Sequence, residues 1–195
     1  MSELVRNAVR ALASGKIVCF PTETTYGLAV DIRDRDALAR LSTIKQREPT
    51  SPFALIVPSI DAAQALALVW PEAAAKLASE HWPGPLTLIV PARPDLPAEI
   101  IGPSGGVGVR MSSHPMAGAL ARELGGAITA TSANPSGHPP ALSVDEALAY
   151  FGGDVDVYVD GGRCAAASAS TVVVIDSAGG VTVLRPGALA LGPRG

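Results

Sequence analysis

Short apolar runs rich in β-branched residues, each cut off by a proline, a glycine or a polar turn, alternate along this chain with segments of helical hydrophobic period. That alternation constrains the fold most. Leu4, Val5, Ala8, Val9 and Leu12 recur at helical spacing and stop at Gly15, and an apolar run over 17–20 then ends at Pro21. A polar loop over 22–26 leads to a strand over 28–30, and Asp34 or Asp36 caps a helix reaching about Lys45. The pattern continues with a strand over 53–57, helices opening at Ser59 and Pro71, and a turn at Trp82-Pro83-Gly84-Pro85. Strands over 86–90 and 107–111 follow, then a helix over 115–124 closed by Gly125. A strand over 127–131 runs into a turn over 132–137, and Ser143 with Glu146 forms a capping box opening a helix to Tyr150. The last strands, over 155–159, 171–175 and 181–184, are β-branched. This order predicts an α/β or α+β fold: one domain over 1–187 with a twisted mixed sheet flanked by helices, and a loosely held tail over 188–195.

The chain has 195 residues, 48% hydrophobic and 17% charged, enough for one substantial core and unlike a disordered segment. Its net charge of −3 offers no overall attraction to nucleic acid or an anionic membrane, so any polyanion site has to be local. No apolar run approaches the length of a membrane span, and Glu3, Arg6 and Arg10 interrupt the N-terminus where a signal peptide needs apolar residues. The expected compartment is the cytoplasm. Cys19 and Cys164 are expected as free, mostly buried thiols, and His81, His114 and His138 stand apart, so no transition-metal constellation is expected.

Polar residues gather where strands end, which is where open sheets bind ligands. Lys45 and Arg47 flank one residue at a helix end. They serve either the helix dipole or a phosphate clamp, Arg as a planar fork and Lys as an exposed, mobile point charge. Ser132 and Asn134, just past a strand, act either as turn formers or as neutral hydrogen-bonding groups for a nucleotide. Ser132 lacks the G-x-S-x-G setting of a hydrolase nucleophile. Arg110 and Arg185 close apolar strands, either as surface ion-pair members or as strand-end cations for a carboxylate or phosphate. Neither G-x-x-x-x-G-K-[ST] nor G-x-G-x-x-G occurs.

In order, Phe20-Pro-Thr-Glu-Thr-Thr-Tyr-Gly-Leu28, Lys45-Gln-Arg47, Trp82-Pro-Gly-Pro-Leu-Thr87, Val107-Gly-Val-Arg110, Thr131-Ser-Ala-Asn134, Ser170-Thr171 and Leu184-Arg-Pro-Gly187 resemble the YrdC/Sua5 family over nearly the whole chain. The length resembles the family's short form. The resemblance implies a concave basic cavity on an open twisted sheet. It also implies nucleotidyl transfer: L-threonine, bicarbonate and ATP, with Mg²⁺, give threonylcarbamoyl adenylate and pyrophosphate. The adenylate then passes to a tRNA-modifying complex for N6-threonylcarbamoyladenosine synthesis.

By the same resemblance, Thr22, Arg110 and Ser170 surround the threonine. Lys45 and Arg47 hold the triphosphate and carry the catalysis, while Ser132, Asn134 and Arg185 bind the nucleotide. The sequence departs from the family pattern at Glu48, which intervenes before Pro49, and at Pro58, where many members carry His. The alternative is a non-catalytic module of the same fold that binds double-stranded RNA or tRNA; weak RNA binding is compatible with either reading, and membrane association with neither.

Overall fold

A computed structural model describes residues 2–47, 51–165 and 168–191. The strands are β1 (Val18–Pro21), β2 (Tyr26–Ala29), β3 (Leu55–Ile56), β4 (Leu86–Pro91), β5 (Gly106–Arg110), β6 (Ile128–Thr129), β7 (Thr131–Ser132), β8 (Val157–Tyr158), β9 (Thr171–Ile175) and β10 (Val181–Arg185). The helices are α1 (Glu3–Ala13), α2 (Arg35–Ile44), α3 (Ile60–Leu66), α4 (Glu72–His81), α5 (Pro115–Leu124) and α6 (Val144–Phe151). The fold is mixed α/β, as the alternation predicts, but its strands divide into two sheets. One has the order β7-β2-β1-β8 and the other β10-β9-β4-β5-β3-β6, and each contains parallel and antiparallel neighbours.

The division explains why the single strand expected over 127–131 is two. β6 pairs with β3 in the six-stranded sheet, whereas β7 pairs with β2 in the other. Between them, Ala130 donates its N–H to Ala54. The buried Thr129 hydroxyl accepts from the Val30 N–H at 3.0 Å and donates to the Leu28 carbonyl at 3.3 Å, so one side chain ties the two sheets. An apolar run signals burial but not a change of partner strand.

Two apolar clusters each draw residues from both sheets. Val18 and Phe20 of β1 join Val5, Ala8 and Leu12 of α1 and Leu120 and Ala121 of α5, while Cys19 faces the larger cluster with Leu38, Leu41, Leu77 and Phe151. β1 is buried on both faces, which is why its sequence is a continuous apolar run rather than an alternation.

Helix termini follow their sequence signals. Asp34 accepts from the Ala37 N–H, Ser59 from Ala62, and Ser143 from Glu146. Gly125 closes α5 in the left-handed region at φ 69°. The capping box is shifted by one residue, because the Glu146 carboxylate takes the Leu142 N–H at 2.8 Å. Of the residues after 187, Ala188 and Leu189 are tied by hydrogen bonds to Ala169 and Thr171, while 192–195 lie outside the described residues. Among the described residues no helix is long and apolar enough to cross a membrane.

Tyr26 opens β2 fully buried, with its hydroxyl donating to the Gly162 carbonyl at 2.7 Å and accepting from the Gly161 N–H at 3.1 Å. Tyr26→Phe is expected to cost about 1–3 kcal/mol, because two backbone groups lose their partner. Urea unfolding with an unchanged slope checks this, and a loss below about 0.5 kcal/mol contradicts it.

Candidate functional site

The C-terminus of α2 determines how the two cations of the K-x-R segment are presented. Lys45 is the C-cap, the Gln46 N–H reaches the Thr43 carbonyl, and the Arg47 N–H reaches Ser42. This is the Schellman closure, which needs a left-handed residue after the cap. Gln46 fills that place at φ 48°, the one non-glycine residue with positive φ among those described. Such a conformation costs about 1 kcal/mol for an L residue, so a strained link separates Lys45 from Arg47 and turns their side chains onto different partners.

Lys45 is 5% exposed, not the exposed side chain expected from its helix-end position. Its Nζ donates to the Ser132 carbonyl at 2.6 Å and to the Asn134 carbonyl, bringing the K-x-R and S-x-N segments together. Burial, and then the neighbouring Arg47 charge, lowers the Lys45 pKa to about 8. Arg47 also reaches this region, where its guanidinium holds the Ser51 carbonyl at 2.6 Å, the Pro52 carbonyl at 2.8 Å and the Thr131 hydroxyl at 2.8 Å. It lies over the Phe53 ring at 4.6 Å. Arg47 thus organises the strand end around Thr131 with its own donors. Glu48, the first departure from the family pattern, lies outside the described residues.

Ser132 is exposed and Asn134 buried. The Asn134 amide nitrogen donates to the Pro135 and His138 carbonyls at 3.0 and 2.7 Å, while its Oδ1 is buried without a hydrogen-bond partner. Turn formation therefore accounts for half of this side chain and leaves an acceptor unused.

A second group forms around Arg110 at the end of β5. Arg110 is 7% exposed and donates from Nη2 to Glu23 Oε2 at 3.2 Å, so its ion pair is buried rather than on the surface. Burial pushes its pKa down, Glu23 offsets this, and nearby Arg185 lowers it further. Ser112 donates to the same Glu23 oxygen at 2.5 Å. Arg185 donates to the Ser170 carbonyl at 2.9 Å, and the Ser170 and Thr87 hydroxyls lie 3.1 Å apart. The starts of β4 and β9 and the ends of β5 and β10 supply this group.

The β1–β2 turn joins the two groups. Its Thr22 hydroxyl donates to the Thr25 carbonyl at 2.7 Å and accepts from the Thr24 and Thr25 N–H groups, shaping the turn that presents Glu23 to Arg110. From the same turn runs β2, which pairs Gly27 with Ser132 of β7. Glu23, Ser112, Thr87 and Thr131 were not singled out for roles by sequence reasoning. Glu23 lies inside the quoted Pro-Thr-Glu-Thr segment, but its partner is 87 residues away.

A separate shallow depression of about 470 Å³ lies between the end of α1 and the β2–α2 connection. Its Asp31 carboxylate is already paired with Arg33 at 2.6 Å, and neither Lys45, Arg47 and Asn134 nor Glu23 and Arg110 line it. Among the described residues no three His, Cys, Asp or Glu side chains converge to hold a metal ion.

The depressed Lys45 pKa gives a signed pH dependence. Between about 8 and 10.5 the unfolded lysine holds a proton that the folded one has released. Stability from this group therefore rises with pH across that window, by up to about 3 kcal/mol. The measurement is the unfolding free energy of wild type minus that of Lys45→Met from pH 7 to 10. The subtraction cancels the opposing contribution of Cys19, whose burial pushes it up to about 12. A flat difference contradicts the expectation.

The model of the Sua5/YciO/YrdC family, described as telomere recombination, matches residues 10–187. The threonylcarbamoyl-AMP synthase of Halorhodospira halophila is 40% identical over 158 residues, covering 80% of this chain and 82% of that protein. The structure of Pyrococcus abyssi Sua5 complexed with L-threonine superposes with a TM-score of 0.88 at 36% identity, covering 94% of this chain. This chain spans about half of that protein, 54%. Escherichia coli YciO superposes with a TM-score of 0.84 at 25% identity, covering 94% of this chain and 89% of its own. With the order of motifs, the α/β architecture and the match over 10–187 in agreement, the chain belongs to the Sua5/YciO/YrdC family.

Proposed function

We propose that this chain is a threonylcarbamoyl-AMP synthase, a nucleotidyltransferase that joins L-threonine, bicarbonate and ATP and releases pyrophosphate. The observation that carries the reading is the contact of Lys45 with the Ser132 and Asn134 carbonyls, which unites the family's K-x-R and S-x-N segments in a chain whose curated relatives bear that name. We take 1–187 as the catalytic domain and the cytoplasm as its compartment.

The reaction needs positioning and charge neutralisation more than a nucleophilic side chain. The threonine α-ammonium gives up a proton, and the free amine attacks carbon dioxide, or bicarbonate with loss of water; the carbamate oxygen then attacks the α-phosphorus as pyrophosphate departs. Arg110 takes the threonine carboxylate, with Thr22 and Ser170 completing the pocket and Arg185 meeting the nucleotide from β10. Lys45 and Arg47 face the triphosphate, for which Arg47 has to exchange some of its backbone partners. Ser132 contacts the adenylate portion. The free Asn134 Oδ1 accepts but cannot donate, so it suits a ribose hydroxyl or the adenine amino group rather than a phosphate oxygen. Mg²⁺ enters with ATP, bound to its phosphates. The product then passes to a tRNA-modifying complex.

The test is pyrophosphate release with ATP, Mg²⁺ and bicarbonate, with and without L-threonine, and the mass of the nucleotide product. Threonine-dependent release with a threonylcarbamoyl adenylate mass supports the synthase. Folded protein that releases none and binds RNA with steep salt dependence overturns it in favour of the RNA-binding module.

A further inference from the structure

The synthase reading uses Arg110 and leaves its partner Glu23 without a role. Glu23 Oε2 is already occupied by Arg110 and Ser112. Its other oxygen, Oε1, is buried with no hydrogen-bond partner, and so is Nε of Arg110. A buried ion pair with a spare acceptor on its anion and a spare donor on its cation is incompletely satisfied, and each such atom costs about 1–3 kcal/mol.

A ligand that satisfies both atoms needs a donor cation and an acceptor anion held close together, which describes an α-amino acid zwitterion. An isolated metal cation fits poorly because the Arg110 charge, 3.2 Å from the carboxylate, repels it. Orientation of Arg110 does not account for Oε1 either, since Oε2 performs it. The Thr22 hydroxyl bonds fix the turn and so hold the carboxylate in place before any ligand arrives.

Resting on the synthase reading, we propose that Glu23 receives the α-ammonium of L-threonine through Oε1 while Arg110 receives its carboxylate. The pair then recognises the unblocked head of the amino acid, and Glu23 is a substrate-binding residue that selects for a free α-amine.

The experiment measures binding of three ligands to wild type and Glu23→Gln by calorimetry. They are L-threonine, L-threoninol, which keeps the amine and lacks the carboxylate, and (R)-3-hydroxybutanoate, which keeps the carboxylate and lacks the amine. Glu23→Gln is expected to weaken L-threonine by roughly 10- to 100-fold, the scale of a charge-assisted hydrogen bond, and threoninol similarly. Binding of 3-hydroxybutanoate should change less than about two-fold. Equal losses for threonine and 3-hydroxybutanoate overturn the proposal, because Glu23 then acts only by orienting Arg110. An unchanged threonine affinity also overturns it.

If Glu23→Gln does not fold, wild type alone decides: the proposal requires 3-hydroxybutanoate to bind at least about 10-fold more weakly than threonine, and equal binding refutes it. Wild type that binds no threonine brings down the synthase reading together with this proposal. Threonine-dependent pyrophosphate release without discrimination for the amine brings down this proposal alone.

Discussion

Lys45→Met lowers threonine-dependent pyrophosphate release by about 100- to 1,000-fold, the loss typical of removing one charged donor from a site of charge development. Stability moves far less. Removing the ammonium leaves the Ser132 and Asn134 carbonyls without their donor, which costs stability, but it also ends the desolvation of a buried charge, which returns some. These opposing effects are expected to leave the unfolding free energy within about 2 kcal/mol of wild type. Steady-state kinetics paired with urea unfolding checks both, with kcat falling and the threonine KM holding. Retained activity removes Lys45 from the chemistry. A loss of activity matched by a loss of folded protein assigns it to structure.

The second large effect belongs to Arg110. Arg110→Ala strands Glu23 and is expected to destabilise by about 3–5 kcal/mol, as breaking a buried pair from one side does. Arg110→Lys keeps the charge and loses the fork, and so separates folding from binding. It should raise the threonine KM by at least about 10-fold with the ATP KM unchanged, since the lost contacts are to a carboxylate. Equal rises in both constants would point to a general distortion of the site, and an unchanged threonine KM would remove Arg110 from that pocket.

Much of this was legible in the linear pattern. Helix starts at Asp34, Ser59 and Ser143 and the glycine stop at Gly125 are local events, in which a side chain or a missing Cβ satisfies backbone groups a few residues away. The strand-end positions of Arg110, Ser170 and Arg185 followed from apolar runs. The Schellman closure at Gln46 was not legible, because the residue that usually announces it, glycine, is absent. The burial of Lys45 was not legible for a related reason: its acceptors are the Ser132 and Asn134 carbonyls, and backbone carbonyls leave no mark on a sequence.

By itself the sequence determined the elements, their order and the identity of the polar residues at their ends, because propensity, capping and hydrophobic period act over a few residues. Only the tertiary structure decided that the chain changes sheets at Ala130, that Lys45 is buried and tied to the Ser132 and Asn134 carbonyls, and that Glu23 faces Arg110. Those outcomes depend on contacts between residues far apart in the chain, 87 positions for Lys45 with Ser132 and for Glu23 with Arg110, formed as two sheets close on a shared core. No local propensity encodes such distances.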